Sequence, residues 1–123
     1  MNIKDLLKED SIILDTTATN KEEAIQEMVA KHYQCGHIQN QDIYYQAILE
    51  REKLSSTGIG HFIAIPHAQS ETVNYPSLVA MVSPKGIEYD SLDQKPVHLL
   101  FMIAVLKEAG SKHLEILAQL CQI

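Results

Sequence analysis

Apolar residues recur at helical spacing in the first half of the chain: Ala24, Ile25, Met28, Val29 and Tyr33 form one stripe. Asn20 stands where an N-cap would, with Glu23 three residues on as the partner of a capping box. Gly36 falls where a helix C-terminus favours a left-handed residue. A second helix is predicted from Asn40, burying Ile43, Ala47 and Ile48 and ending near Arg51-Glu52-Lys53. Ahead of both, Ser11–Leu14 reads as a short strand, preceded by one or two helical turns around Ile3 to Leu7. The period then changes. Phe62–Ile65, Leu78–Val82 and Val97–Leu106 are continuous apolar runs, which suit strands buried on both faces. Their β-branched content, with Pro76, Pro84, Gly86 and Pro96 nearby, favours strands over core helices. A helical stripe returns from Ser111 with Leu114, Leu117, Ala118 and Cys121. The expectation is one α/β domain, a mixed β-sheet flanked by helices on both faces. The pattern at Gln122-Ile123 is still helical and uncapped, so the last helix either frays there or continues in a longer chain.

Composition narrows the class. The 123 residues suffice for one domain, and 46% hydrophobic with 21% charged is ordinary globular material. No segment approaches the roughly 20 consecutive apolar residues needed to span a bilayer, and no signal-peptide order opens the chain. A soluble cytoplasmic protein without membrane insertion is expected. Cys35 and Cys121 lack metal or redox spacing and read as free thiols. A formal charge of −6 without a Lys/Arg cluster argues against nucleic acid; an acidic surface suits a basic protein partner instead.

The densest chemistry lies in Arg51-Glu52-Lys53-Leu54-Ser55-Ser56-Thr57-Gly58-Ile59-Gly60-His61-Phe62-Ile63-Ala64-Ile65-Pro66-His67-Ala68. A polar loop follows a helix, and Gly58 and Gly60 give its backbone unusual freedom. Gly58-x-Gly60 lacks the lysine of a phosphate-binding loop and the full dinucleotide fingerprint, so it reads as a turn. Pro66 fixes its own φ and keeps Ile65 extended, placing His67 just past a strand end on stiff backbone. An imidazole so placed can be a nucleophile, base or metal ligand, although a lone histidine is more often structural.

That run is similar to the phosphorylation-site region of fructose/mannitol-type enzyme IIA domains of the bacterial sugar phosphotransferase system, including the nitrogen-regulatory branch. The likeness extends to Lys21–Ile25, to Leu92–Phe101 and to His113–Leu117, so it covers nearly the whole chain. The resemblance implies one phosphocarrier domain over residues 1–123, without the family's C-terminal helical segment. It implies that His67 is the phosphorylated nucleophile, that His113 stabilises the phosphoryl group, and that Arg51 neutralises its charge. Ser56 and Thr57 are candidate hydroxyl contacts. The implied partners are HPr as phosphoryl donor and enzyme IIB as acceptor, with fructose- or mannitol-type sugar uptake as the outcome. No metal, nucleotide or other cofactor is implied, since the donor is already a phosphoprotein. The alternative is a nitrogen-type regulator whose phosphorylation state controls partner binding. The sugar, the oligomeric state, and whether this is a free subunit or a domain of a larger chain stay open.

Two positions depart from the family pattern. Ala68 stands where glycine is usual, so the backbone there must accept a Cβ, and His61 is expected to face solvent. A zinc hydrolase using His61, His67 and His113 is the weaker reading, because the resemblance accounts for two of these histidines without a metal. His32 and His37 flank the end of the first long helix, where cations would meet its dipole, and His98 is expected to satisfy a hydrogen bond.

Overall fold

A computed structural model describes residues 6–107. The described residues form two long helices, α1 (Lys21–Gln34) and α2 (Gln41–Leu54). The strands are β1 (Ile12–Ile13), β2 (Gly58–Gly60), β3 (Ile63–Ala64), β4 (His67–Ser70), β5 (Ser77–Ile87) and β6 (Val97–Leu106). They form one mixed sheet in the order β1-β5-β6-β3-β2, with β4 also on β6. Strand β6 is the hub. It pairs antiparallel with β5 on one side, and on the other with β3 through Leu99 and Leu100, then with β4 from Ile103 to Leu106, both parallel.

Both helices start as the sequence dictates. The Asn20 side chain accepts from the Glu23 N–H, and that of Asn40 from the Ile43 N–H. The Glu23 carboxylate returns to the N–H and hydroxyl of Thr19, one residue ahead of the cap. Gly36 closes α1 with φ 78°. The buried stripes are rotated from those expected. On α1 His32, not Tyr33, completes the row Ala24, Ile25, Met28, Val29, and Tyr33 is exposed. On α2 Tyr44, not Ile43, is buried with Ile48, while Ala47 is half-buried. In each case a polar tip finds a carbonyl of β6: His32 Nε2–H donates to Met102 O at 3.0 Å and the Tyr44 hydroxyl to Ile103 O at 2.9 Å. A ring whose polar atom is satisfied by backbone buries as well as an aliphatic side chain.

The sheet separates two apolar clusters, and β6 feeds both by alternation from Leu100 to Val105. Leu100, Met102 and Ala104 join α1 and α2 in the larger cluster; Ile103 and Val105 join Ile65 and Leu78 in the smaller, with Leu6 and Leu7 against it. Both described helices therefore share one face, and the segment at Leu6 and Leu7 covers part of the other. The helix predicted from Ser111 and most of the turns around Ile3 to Leu7 lie outside the described residues.

Candidate functional site

The run expected as one strand from Phe62 to Ile65 is instead the second arm of a tight hairpin followed by a break. β2 and β3 pair antiparallel across a two-residue loop, His61-Phe62, whose φ values are 56° and 66°. Left-handed backbone at both loop positions is the geometry that follows strand twist. Phe62 is thus a turn residue, tied down where its carbonyl accepts the N–H of His98 and Leu99. Pro66 then interrupts the ladder, since it has no N–H to give, but its carbonyl accepts from Ile103 N at 3.0 Å. Pairing with β6 restarts at His67, opposite Ile103. His67 consequently opens β4; it does not trail off the end of a strand.

The hydrogen bonds of its ring fix its tautomer. His67 Nδ1 lies 2.7 Å from the carbonyl oxygen of Ile65, which can only accept, so Nδ1 carries the proton. Arg51 Nε, which can only donate, lies 3.2 Å from Nε2, so Nε2 presents its lone pair. The side chain is buried at 9% exposure. Burial pushes its pKa below the usual imidazole range and the Arg51 charge acts the same way; the Ile65 carbonyl and Glu52 oppose them. The outcome is a neutral ring with one basic nitrogen beside a guanidinium.

Arg51 reaches His67 from the last turn of α2, and its Nη1 donates to Ser55 O at 3.0 Å. The structure therefore brings Arg51 and His67 together. Ser56 uses its hydroxyl to accept from the Gly58 N–H at 3.1 Å. Thr57 is buried and faces inward, its hydroxyl bonded to the Glu52 carboxylate and 3.0 Å from the Tyr89 hydroxyl, which makes it internal structure and not a surface donor. His113 lies outside the described residues. Ala68 is accommodated as buried strand. His61 is exposed. His98 Nδ1 donates to Ser83 O at 2.9 Å.

The histidines near the end of α1 differ from expectation. Neither acts as a cation on the helix dipole. His37 Nδ1–H donates to His32 Nδ1 at 2.9 Å, because Nε2 of His32 already carries the proton given to Met102 O. Burial, then proximity to His37, lowers the His32 pKa to about 3. Cys35 is a free thiol that donates to Asp10 O, and Cys121 lies outside the described residues. Among the described residues no helix is long and apolar enough to cross a membrane.

Comparison with known proteins gives this geometry its family. Residues 5–123 match the family described as phosphoenolpyruvate-dependent sugar phosphotransferase system, EIIA 2. The chain belongs to that EIIA family. It is 43% identical over 120 residues to the fructose-specific EIIABC component of Bacillus subtilis, covering 98% of this chain and 19% of that protein. It therefore spans about a fifth of that relative's length. A nitrogen regulatory protein of Bradyrhizobium diazoefficiens is 30% identical over 123 residues, covering 100% of this chain and 80% of the relative. Among solved structures, nitrogen regulatory protein IIA-Ntr of Neisseria meningitidis superposes with a TM-score of 0.88 at 28% identity, covering 95% of this chain and 80% of that one. The mannitol enzyme IIA of Escherichia coli, solved in complex with phosphorylated enzyme IIB, superposes with a TM-score of 0.78 at 25% identity, covering 95% and 82%. Members of this EIIA family are phosphotransferase components, and phosphoryl transfer is the chemistry they share.

Glu52, Tyr89 and Lys21 were not legible as parts of the site. The adjacency of Glu52 to Arg51 and its five-residue separation from Thr57 were the available signals.

Proposed function

We propose that the chain accepts a phosphoryl group from phospho-HPr on His67 Nε2 and passes it to an enzyme IIB domain in uptake of a fructose-type sugar. One observation carries the reading: Nδ1–H is committed to the Ile65 carbonyl while Nε2 presents its lone pair beside the Arg51 guanidinium. The Nε2 lone pair forms the new N–P bond as the donor's N–P bond breaks, and the departing electron pair returns to the donor histidine. No proton leaves His67, since the attacking nitrogen carries none. The ring gains positive character as the bond forms, and the Nδ1–H···O=C bond to Ile65 stabilises it. Arg51 Nε–H swings from the consumed lone pair to the phosphoryl oxygens, where charge stabilisation matters most in a loose transition state. His113 is assigned the remaining phosphoryl contact through the family resemblance alone.

The similarity to nitrogen regulatory proteins along the full chain supports a second reading, in which phosphorylation of the same atom changes partner binding. One reaction separates them. With phosphoenolpyruvate, enzyme I and HPr, the protein becomes labelled and a His67→Ala variant does not. Onward transfer of label to a fructose-type IIB supports the transport reading; stable label with every such IIB supports the regulatory one. An unlabelled native protein overturns both.

A further inference from the structure

Arg51 and Glu52 are neighbours at the end of α2, and each ties the loop 55–57 to that helix. Arg51 does so through Ser55 O. Glu52 does so through Thr57, accepting its backbone N–H at 3.2 Å and its hydroxyl proton. The carboxylate is itself clamped: Lys21 Nζ, from the first turn of α1, lies 2.7 Å from Oε1, and the Glu52 side chain is only 6% exposed. Tyr89, fully buried between β5 and β6, closes the group. Its hydroxyl donates to Thr57 Oγ1, because the single proton of Thr57 is already given to Glu52. The Lys21 ammonium also sits over the Tyr89 ring at 5.0 Å. Lys21 and Thr57 thus converge on one carboxylate, and Tyr89 joins it through Thr57.

The path from that carboxylate to the nucleophile is short. Thr57 O accepts from Ile65 N at 2.9 Å, and Ile65 O accepts from His67 Nδ1 at 2.7 Å. Ile65, whose carbonyl selects the imidazole tautomer, is therefore held through its N–H by the residue that Glu52 holds. We propose that Glu52 is a positioning residue for His67: acting through Thr57 and Ile65, it keeps the proton on Nδ1 and the lone pair on Nε2. This rests on the phosphocarrier reading for its purpose, though not for its geometry. An ionised carboxylate suits the role better than an amide, because it accepts from Lys21, from the Thr57 N–H and from the Thr57 hydroxyl without presenting a donor to any of them.

The test compares native protein with Glu52→Gln and Thr57→Val, reading the His67 tautomer by ring 15N shifts in the unphosphorylated state and the rate of phosphorylation by phospho-HPr. In native protein His67 is the Nδ1–H form. Glu52→Gln retains the native backbone spectrum but shows a mixed tautomer population, with phosphorylation slowed by about 10–100-fold, the usual cost of losing a group that orients a reactive ligand. Thr57→Val, which keeps the N–H bond to Glu52 and loses the hydroxyl, shifts the tautomer less, and Thr57→Ser restores the native preference. If Glu52→Gln does not fold, Thr57→Val decides. A native tautomer and native rate in a folded Glu52→Gln or Thr57→Val variant overturns the proposal. The tautomer is read without any phosphoryl donor, so the two claims fail separately. A native protein that is never labelled ends the phosphocarrier reading while a tautomer shift in Glu52→Gln still stands.

Discussion

At His67 two atoms of fixed hydrogen-bonding character decide the chemistry: a carbonyl at Nδ1 and a guanidinium N–H at Nε2. Arg51 contributes a fork as well as a charge, since Nε meets the histidine while Nη1 holds Ser55 O. Lysine cannot make both contacts. Arg51→Lys is predicted to slow single-turnover phosphorylation from phospho-HPr by about a hundredfold, the scale of losing one preorganised donor at a transition state, with circular dichroism unchanged. A native rate would show that charge alone suffices there. His67 and Arg51 were legible through the family pattern of the motif and the chemistry of their side chains. Glu52 and Tyr89 were not, because a carboxylate and a phenol gain their role only when the fold buries them against Thr57. His32 misled for the same reason: its burial depends on Met102, seventy positions along the chain in β6.

Among the elements, α1 and α2 could be bounded from their caps, and β6 from its apolar run. Their buried faces could not be fixed to better than one position, because the polar tips of His32 and Tyr44 can be buried only where carbonyls of β6 accept from them. The β2–β3 hairpin was hidden because its left-handed loop residues are His61 and Phe62 and not the Asn-Gly pair that announces such turns. What seats the hairpin is close approach. A Cβ on Gly58 would lie 2.8 Å from the Ser91 Cα, and the Gly58 carbonyl accepts from both the Ser91 hydroxyl and the Leu92 N–H. Backbone must move to admit a methyl group there. Gly58→Ala is predicted to destabilise the fold by about 1–3 kcal/mol, the usual cost of overpacking. A denaturant midpoint equal to that of the native protein would mean that the hairpin is not held against Ser91.

For the molecule as a whole, the sheet divides the apolar residues into two clusters, and buried neutral histidines lie within that packing. His32, His37 and His67 all have folded pKa values below their unfolded ones, chiefly through burial. Below about pH 6.5 the unfolded chain therefore binds protons that the folded protein refuses. Their stabilisation is complete above that pH and is lost as pH falls, for His32 until its folded value of about 3. Each such histidine contributes a slope of up to about 1.4 kcal/mol per pH unit within its window. Urea midpoints are predicted to change little between pH 7.5 and about pH 6.5 and to fall from there to pH 5, before the carboxylates begin to titrate. A midpoint that is flat or rises from about pH 6.5 to pH 5 would contradict the neutral buried histidines. Fold class was readable at this scale because the change from helical spacing to continuous apolar runs is a property of the whole chain. The placement of both described helices on one face was not, since nothing local to either helix specifies which side of the sheet it meets.

The proposed acceptor of the phosphoryl group is a single atom, Nε2 of His67. The phospho-HPr reaction read by long-range 1H–15N correlation, with coupling to 31P, tests it most directly. Phosphorus on Nε2 of His67 with the proton retained on Nδ1 is the predicted result. Phosphorus on Nδ1, or on a residue other than His67, would contradict it.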